Sequence, residues 1–398
     1  MPRQTLSLLL TLALLVAACA PSGEKTAGSH TTTSSTTTST STTTTQATTT
    51  TTAPLVLENA PAVLSALIDD FYKYAYGEIT SPPAMPEAVI ASIAPSPGQR
   101  PDTGVTTQGV FKETTLATVW VGEDLFLVIN DGEWRIVGGS WPSVGAPAYF
   151  GDGPRHIAVV GSDARPGQDV DGSRADSIHF VALDGSGSGA IVGLPRDSYI
   201  PVPGYGTRKI TGSLALGGPE VMMEAFRNLT GLPFEGYVLT GFSGFQYLID
   251  RVLGGVEVDV PFAINDSAAK AVLSAGLQVL DGFDALAFSR ARKTLPGGDF
   301  DRSEHQGLVL IAAARGAKSM GFDALPLLLE EAEQYLQTNL TPEQIFTFSA
   351  MVLNSNLDEI PNLVASGSPG SAGGASVVYL HDSAYSTFED LADGALGN

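Results

Sequence analysis

The order of apolar and polar residues divides the chain into segments of different character. Residues 20–54 form a Thr/Ser-rich tract without apolar periodicity, which cannot bury a core and predicts a disordered linker. Residues 56–146 hold one stretch with apolar positions at helical spacing, from Leu64 to Ala75, and several alternating stretches that predict strands. We therefore expect a small α+β domain there. The strand candidates are 114–122, 124–130 and 134–139, with a turn at 130–132 between the last two.

From Arg155 onward, short apolar strands alternate with amphipathic helices. This pattern predicts an α/β domain over 155–398, with its core in 155–318 and the architecture of an α/β/α-type sandwich around a central mixed sheet. The strand candidates are 157–161, 178–183, 190–194, 237–240 and 256–260, and the helix candidates are 219–230, 243–253, 281–289 and 303–318. Further on we expect a capped helix start at 341–344, a flexible loop at 367–375, a strand at 376–380 and a closing helix.

The N-terminus predicts a targeting signal. Arg3 precedes the apolar run 6–18, which is short for a membrane span, and the run ends in Leu-Val-Ala-Ala-Cys19. This ending resembles a bacterial lipobox, so residues 1–19 are expected to be a lipoprotein signal peptide with Cys19 as the lipidated residue. The alternative is an ordinary cleaved signal peptide with an incidental cysteine. Either way the sequence predicts a protein outside the cytoplasm, and the lipobox predicts an anchor at the outer face of the cell membrane.

Charge is unevenly distributed along the chain. The formal net charge is -21, but residues 155–315 hold 14 of the 21 Lys and Arg and 18 of the 42 Asp and Glu, a local net charge of -4. An anion site in this segment is therefore compatible with the acidic total. The overall acidity argues against nucleic acid as a partner, because such binding requires a basic field. With a single cysteine, the chain has no internal disulfide and no Cys-based zinc site.

Three loops at predicted strand ends carry the candidate chemistry. They are 161–165 with Asp163, 174–177 with Arg174 and Asp176, and 195–198 with Arg196. Arginine binds two phosphate oxygens at once, and aspartates without nearby His or Cys suit a hard ion such as Mg²⁺ or Mn²⁺. The pattern therefore indicates a site for a phosphate-bearing substrate with a divalent metal. The competing interpretation is a set of surface ion pairs, Arg174 with Asp176, Arg196 with Asp197, and Arg302 with Asp299.

A fourth stretch, "RARKTLPGGDFDRSEHQ", adds further cations to this segment, and Lys209 adds one more. Arg290 and Arg292 are expected at the end of one helix and Arg302 on the next, with a Gly-Gly pair turning the chain between them. Other chemistries fit less well. The Gly-rich run 185–189 lacks a P-loop lysine and predicts a turn, and the chain has no G-x-S-x-G motif. His179 lies in an apolar strand and is expected in the core.

An ordered series of motifs between Arg155 and Lys318 resembles the LytR–CpsA–Psr family. The series includes "VVGSDARPG", "RADSI", "LPRDSYIPVPGYGTRKI" and "SRARKTLPGGDFDRSEHQ". The resemblance implies an extracytoplasmic phosphotransferase that moves a glycopolymer from a polyprenyl-pyrophosphate carrier onto a peptidoglycan acceptor. It does not cover 56–146. Two alternatives remain open: a polyprenyl-pyrophosphate phosphatase, and a non-catalytic module that binds the polyprenyl phosphate.

The resemblance also implies roles for individual residues. Asp163 and Asp176 would bind the metal, and the polyprenyl tail would lie in an apolar groove between sheet and helices. Asp299 is a motif acid that would order Arg302 or aid the acceptor, and Arg290, Arg292, Asp299 and Arg302 would form the catalytic set. The pyrophosphate would be held by Arg174, Arg196, Lys209, Arg290, Arg292 and Arg302, with Gln306 supporting them.

Overall fold

The computed structural model describes residues 54–397, and these begin with a six-stranded sheet. The expected signal peptide 1–19 with Cys19, and the expected linker up to residue 53, lie outside the described residues. The strands follow one another in the sheet in chain order, with the first pair parallel and the others antiparallel. They are β1 Val56–Glu58, β2 Thr103–Phe111, β3 Thr114–Val121, β4 Asp124–Asn130, β5 Trp134–Trp141 and β6 Ala146–Tyr149, and a 3₁₀ turn spans Pro142–Val144.

Two helices accompany this first sheet, α1 Ala62–Ala75 and α2 Glu87–Ser92. The predicted apolar stripe of α1 is confirmed, because Leu64, Ile68 and Phe71 are completely buried against the sheet. The predicted turn at 130–132 is confirmed as well, and Gly132 N donates to Asn130 Oδ1 at 3.0 Å. Strand β2 has no counterpart in the sequence-based prediction, since its two glycines and three threonines give only a weak apolar alternation.

The second sheet has six strands in the order β17-β12-β7-β8-β9-β18 and mixes parallel with antiparallel pairs. Their bounds are β7 Arg155–Ser162, β8 Ala175–Leu183, β9 Gly189–Gly193, β12 Gly236–Thr240, β17 Gln337–Thr338 and β18 Asn362–Val364. The strands predicted at 157–161, 178–183, 190–194 and 237–240 are confirmed to within three residues at each end. His179 in β8 is fully buried, as predicted, and burial lowers its pKa to about 4.

Helices cover both faces of the second sheet, which confirms the predicted α/β/α sandwich. On one face, Phe226 and Phe388 pack against Phe180, and on the other, Phe346 and Met351 share a core with Ile157. The helices are α3 Ser213–Thr230, α4 Phe242–Tyr247, α5 Gly282–Arg290, α6 Asp299–Met320, α7 Leu325–Glu333, α8 Pro342–Asn354 and α9 Asp382–Asp390. A π-helical turn, Leu248–Leu253, continues α4, and 3₁₀ turns span Ile210–Gly212, Phe322–Ala324 and Leu391–Asp393. The predicted capped start of α8 is present as a capping box between Thr341 and Gln344.

Four two-stranded antiparallel sheets complete the described residues. They are β10 Tyr199–Val202 with β11 Gly206–Lys209, β13 Val256–Val260 with β16 Gly276–Leu280, β14 Ile264–Asp266 with β15 Ala271–Leu273, and β19 Gly367–Ala372 with β20 Ala375–Leu380. The strand predicted at 256–260 is confirmed. The prediction of a flexible loop over 367–375 is wrong. Small residues give this stretch little strand propensity, yet its backbone pairs with β20 through a turn at Gly373 and Gly374, both at positive φ.

The first sheet and the second part of the molecule share a hydrophobic core. Leu116 and Leu127 of the first sheet pack together with Leu325 and Leu329 of α7. The contact between β2 and α7 is close enough to require glycine, since a Cβ on Gly109 would lie 2.4 Å from the carbonyl oxygen of Pro326. The segment predicted as a small α+β domain therefore does have its own sheet and helices, and it also buries one face against α7.

In the described part of the chain, no helix combines the length and the apolarity needed to cross a membrane.

Candidate active site

Asp176 occupies a β-bulge at the end of the central strand pair. Gly161 pairs with Ser177 and Ser162 pairs with Ala175, so that Asp176 is the extra residue on β8. A bulge interrupts the regular alternation of side chains and redirects the residue that it contains. Here it directs a carboxylate into a cavity that lies between the sheet and the helices.

The carboxylate of Asp176 contacts the Nη1 atom of Arg196 and accepts a 3.2 Å hydrogen bond from the hydroxyl of Thr211. The alternative pairing of Arg196 with Asp197 is therefore wrong. Asp197 instead pairs with Lys209, at 3.0 Å between Oδ1 and Nζ. Arg196 and Asp197 are neighbours in the chain, but Arg196 pairs with a residue of β8 and Asp197 with the last residue of β11.

The stretch 290–302 turns between two helices as the sequence predicts. Arg290 is the last residue of α5, Arg292 follows in the loop, and Arg302 lies in the first turn of α6. Gly298, directly before α6, has φ of 61°, a conformation that favours glycine. Helix α6 begins at Asp299 rather than at the predicted residue 303, so Asp299 and Arg302 lie one turn apart. They form the ion pair that the competing interpretation named.

Asp299 is a buried carboxylate surrounded by guanidinium groups. Its Oδ1 atom contacts Nη2 of Arg302 and lies 3.7 Å from Nη1 of Arg292 and 4.0 Å from Nε of Arg196. Neither carboxylate oxygen accepts a geometrically sound hydrogen bond from any described residue. Burial raises the pKa of Asp299, and the negative charge of Asp197 adds to the increase, so that the lowering effect of the three arginines is outweighed.

Two of the arginines also have a hydrogen-bond donor without an acceptor. The Nε atoms of Arg196 and Arg302 are buried and have no hydrogen-bond partner among residues 54–397. Burial lowers the pKa of Arg302 to about 10, which leaves it protonated at neutral pH. Buried donors without acceptors are costly, and an anion with several oxygens would supply the acceptors that the protein does not. The cluster is thus organised to receive an anionic group.

The first of two adjoining depressions, which we call the inner cavity, has a volume of about 260 Å³ and lies between the second sheet and helices α4, α5 and α6. Arg290 borders it with its guanidinium 4.8 Å from the ring centre of Phe242. The polar wall includes Asp176, Arg196, Arg290, Arg292, Arg302 and Gln306, and the apolar wall includes Val159, Val160, Phe242, Phe245, Leu286 and Leu310. An apolar groove was predicted at this place, between sheet and helices.

The second depression, the outer groove, has a volume of about 910 Å³ and lies on the other side of the arginines. Its walls come from the hairpins β10–β11 and β19–β20 and from the start of α6. Cations Arg174, Arg208 and Lys209 line it together with Asp197, Tyr199 and Asp299. Arg196 and Arg292 line both depressions, so the two meet at these side chains.

The structure brings most of the predicted site residues together, in two groups. Asp176, Arg196, Arg290, Arg292, Arg302 and Gln306 line the inner cavity, whereas Arg174, Lys209 and Asp299 line the outer groove. Gln306 is buried and donates to the carbonyl of Ser289 at 3.0 Å. Asp163 borders neither depression, and its Oδ1 atom accepts from the backbone N–H of Arg174 at 2.8 Å. Sequence reasoning missed Thr211 and Asp266, whose polar side chains contact site residues but belong to no charged motif.

The described residues hold no group of three or more His, Cys, Asp and Glu side chains suited to a metal ion. Asp163 and Asp176 nevertheless come from the joined ends of β7 and β8, and their donor set consists of oxygen alone. Mg²⁺ commonly takes one or two carboxylates and completes its shell with water and phosphate oxygens. In donor chemistry alone, Asp163 and Asp176 suit a hard ion such as Mg²⁺.

Comparison with known proteins identifies a family for the segment that contains this site. The profile of the LytR_cpsA_psr family matches residues 146–392, more than half of the chain. The probable cell wall biosynthesis protein LcpB of Corynebacterium glutamicum is 33% identical over 184 residues, 46% of this chain and 43% of that protein. The polyisoprenyl-teichoic acid–peptidoglycan teichoic acid transferase TagU of Bacillus mycoides is 32% identical over 214 residues, 52% of this chain and 68% of that protein.

Solved structures share the fold. The crystal structure of Bacillus subtilis TagV superposes with a TM-score of 0.52 at 25% identity, over 61% of this chain and 98% of that one. TagT bound to LIIa-WTA superposes with a TM-score of 0.51 at 22% identity, over 62% of this chain and 92% of that one. The segment that the family profile matches, residues 146–392, contains the bulge at Asp176, the arginine cluster and both depressions. The chain belongs to the LytR_cpsA_psr family.

Proposed function

We propose that this protein transfers a glycopolymer from a polyprenyl-pyrophosphate carrier to a peptidoglycan hydroxyl, with formation of a phosphodiester. One observation carries the proposal: a cluster of arginines, two of which have a buried Nε atom without a hydrogen-bond partner among the described residues, lies where an apolar cavity meets an open groove. A molecule with an apolar tail, two phosphates and a polar chain matches this order of surfaces. The relatives named as teichoic acid transferases that act on peptidoglycan support the reaction class.

The carrier would bind with its tail in the inner cavity and its pyrophosphate on the arginines. Val159, Phe245 and Leu310 offer apolar surface to the tail. Arg196, Arg292 and Arg302 then supply donors to the phosphate oxygens. Charge-assisted bonds are strong, and Arg302 is the most shielded of the three, with 7% of its side chain exposed. This arrangement leaves the glycan to extend from the second phosphate into the outer groove.

In the transfer step, the acceptor hydroxyl oxygen forms a bond to the phosphorus that carries the glycan. The bond between that phosphorus and the bridging oxygen breaks, and its electron pair leaves with polyprenyl monophosphate. The hydroxyl proton passes to Asp299, which lines the outer groove and whose pKa is raised by burial. The arginines stabilise the negative charge that develops on the leaving phosphate, which is the main requirement of phosphoryl transfer.

Asp163 and Asp176 would hold Mg²⁺ or Mn²⁺ when the carrier is bound. The ion would neutralise charge on the pyrophosphate oxygens. Asp176 would then exchange its present contact with Arg196 for the metal, which frees that guanidinium for phosphate.

The test is an assay with purified protein, a lipid-pyrophosphate-linked oligosaccharide, Mg²⁺ and peptidoglycan fragments. We expect a ligated product, its loss in Arg302→Ala, and its retention in Arg315→Ala, which removes an exposed arginine from the same helix. Release of free glycan phosphate at a rate independent of the acceptor would instead identify a phosphatase. Tight lipid binding without any turnover, in this protein and in Asp176→Asn alike, would identify a non-catalytic module.

We further propose that Cys19 carries a lipid anchor outside the cytoplasmic membrane, because the preceding residues match a lipobox. Expression in a bacterial host with radiolabelled palmitate tests this directly. Label should enter the wild-type protein and be absent from Cys19→Ser. Equal labelling of both would refute the anchor.

A further inference from the structure

Asp266 lies at the end of β14, behind the loop that carries Arg292, and belongs to no charged motif of the site. It is 2% exposed and borders the inner cavity. A carboxylate beside an anion site would ordinarily compete with the bound phosphate for arginine. In this case both oxygens are directed at backbone N–H groups, and no ion pair joins Asp266 to a described cationic side chain.

The two carboxylate oxygens of Asp266 serve different segments. Oδ1 accepts from the N–H groups of Ala268 and Ala269, at 2.9 and 3.2 Å, in the turn of its own hairpin. Oδ2 accepts from the N–H groups of Arg292 and Lys293, at 2.9 and 2.8 Å. All four of these residues line the inner cavity, two from the β14–β15 turn and two from the arginine loop.

The backbone of the arginine loop depends on this acceptor. Helix α5 ends at Arg290, and Ala291 has already left helical geometry with ψ of 134°. The next two N–H groups therefore have no helical carbonyl to bond to, and backbone donors near the interior need a partner. Asp266 supplies it for both. Four such bonds outweigh the effect of burial and lower the pKa of Asp266, which keeps it ionised at neutral pH.

We propose that Asp266 is a positioning residue that fixes the Arg292 loop against the β14–β15 turn and so sets where the Arg292 side chain lies at the junction of the two depressions. This inference rests on the proposed binding of a polyprenyl pyrophosphate. Asp266 does not contact the phosphate itself. Its effect reaches the ligand through Arg292, whose guanidinium it holds between the inner cavity and the outer groove.

The experiment compares Asp266→Asn with Asp281→Asn in the full chain. Asp281 caps the other end of α5 by accepting from Asp284 N at 2.8 Å, so it is a matched backbone-accepting aspartate away from the arginine loop. The asparagine at 266 keeps one acceptor oxygen but turns an NH₂ group toward N–H donors. The probe is geranylgeranyl pyrophosphate with Mg²⁺, and its affinity is measured for the wild type, both single variants, Arg292→Ala and Asp266→Asn/Arg292→Ala.

We expect binding at least tenfold weaker in Asp266→Asn, unchanged in Asp281→Asn, and no weaker in the double variant than in Arg292→Ala alone. A simple loss of folding stability would lower affinity by the same factor in both backgrounds, which would overturn the inference. Wild-type affinity in Asp266→Asn would also overturn it while leaving the proposed function intact. Absence of binding to the wild type would instead remove the proposed function, and the inference with it.

Amide hydrogen exchange without ligand supplies a readout that is independent of the proposed function. Peptides that cover 291–295 should exchange faster in Asp266→Asn than in the wild type and remain unchanged in Asp281→Asn. Unchanged exchange in this segment would show that Asp266 does not hold the loop.

Discussion

Two buried aspartates, Asp124 in the first sheet and Asp299 in the arginine cluster, show how differently the protein treats one side chain. Asp124 is completely buried and accepts from the Tyr72 hydroxyl at 2.6 Å, from Ser143 N at 3.0 Å and from the Ser143 hydroxyl at 2.5 Å. The side chain of Asp299 is 12% exposed, but both of its carboxylate oxygens are buried and lack a hydrogen-bond partner among the described residues.

The difference separates a structural carboxylate from one available for chemistry. The partners of Asp124 satisfy it by short, directed bonds, so the group fixes α1 against the turn after β5 and has little capacity left. Asp299 contacts its cationic neighbours without a directed hydrogen bond, and burial raises its pKa. Perturbed groups of the second kind gather at functional sites.

Removal of Arg302 should have the largest effect on activity. Arg302→Ala takes away the closest cation to Asp299 and one of the donors proposed to stabilise the leaving phosphate. Losses of about 10²–10³-fold in kcat are typical when one such donor is removed. Initial rates of ligation at saturating acceptor measure the effect. A kcat within fivefold of the wild type would contradict the assignment.

Asp299→Asn should cost about 10²-fold in kcat, the usual range for a positioned acid or base. In the wild type, the raised pKa of Asp299 predicts that activity falls toward acidic pH and does so above the ordinary range of an aspartate. That acid limb should be absent from the residual activity of Asp299→Asn. An unchanged profile in the variant would assign the limb to another group.

The thermal stability of Asp299→Asn also tests whether Asp299, unlike Asp124, has no structural role. Because burial raises the folded-state pKa above the unfolded value, ionised Asp299 does not stabilise the fold above that pKa, and protonation on acidification is favourable. We therefore expect the Tm of Asp299→Asn at pH 7 to lie within a few degrees of the wild type, as calorimetry would show.

Asp124→Ala should give the opposite pattern. The hydroxyls of Tyr72 and Ser143 and the N–H of Ser143 would lose their acceptor. The loss costs about 1–3 kcal/mol for a buried donor such as the Tyr72 hydroxyl. Denaturant unfolding measures the loss of stability, and ligation per folded molecule should stay at the wild-type level. A selective loss of kcat with unchanged stability would mean that the first sheet takes part in the reaction.

The smallest effect is expected at the wall of the outer groove. Tyr199 lines this groove and meets Tyr379 of the β19–β20 hairpin edge-on, with ring centres 6.0 Å apart. Tyr199→Leu should raise the KM for the acceptor by a few fold and leave affinity for the lipid carrier unchanged. Tyr385→Leu, an exposed aromatic change on α9, is the control. An effect on lipid affinity instead would place the tail in the outer groove.

Sequence reasoning predicted the elements whose signal is local. The alternation of strands and helices predicted the sandwich, and the Gly-Gly pair between Arg290 and Arg302 predicted that the chain turns between their two helices. The competing interpretation paired Arg196 with its neighbour Asp197, but a one-residue bulge brings Asp176 to it instead. Nothing in the sequence marks a bulge, because it depends on how two strands align.

Other features were missed for equally physical reasons. Asp266 lies in an ordinary Asn-Asp-Ser turn, and its importance comes from Arg292, 26 residues later, which tertiary packing places beside it. Strand β19 forms from glycine, serine and alanine because β20 offers it a partner, which local propensity does not report. The assignments of Asp163 and Asp176 to a metal stay predictions.

The sharing of Arg196 and Arg292 by the two depressions has a kinetic consequence under the proposed function. After transfer, the polyprenyl monophosphate still has its tail in the inner cavity and its phosphate on the arginines, while the new polymer bond lies in the groove. The lipid product should therefore leave last and compete with fresh donor rather than with acceptor. Release of the polyprenyl monophosphate to the membrane would then limit the rate of turnover.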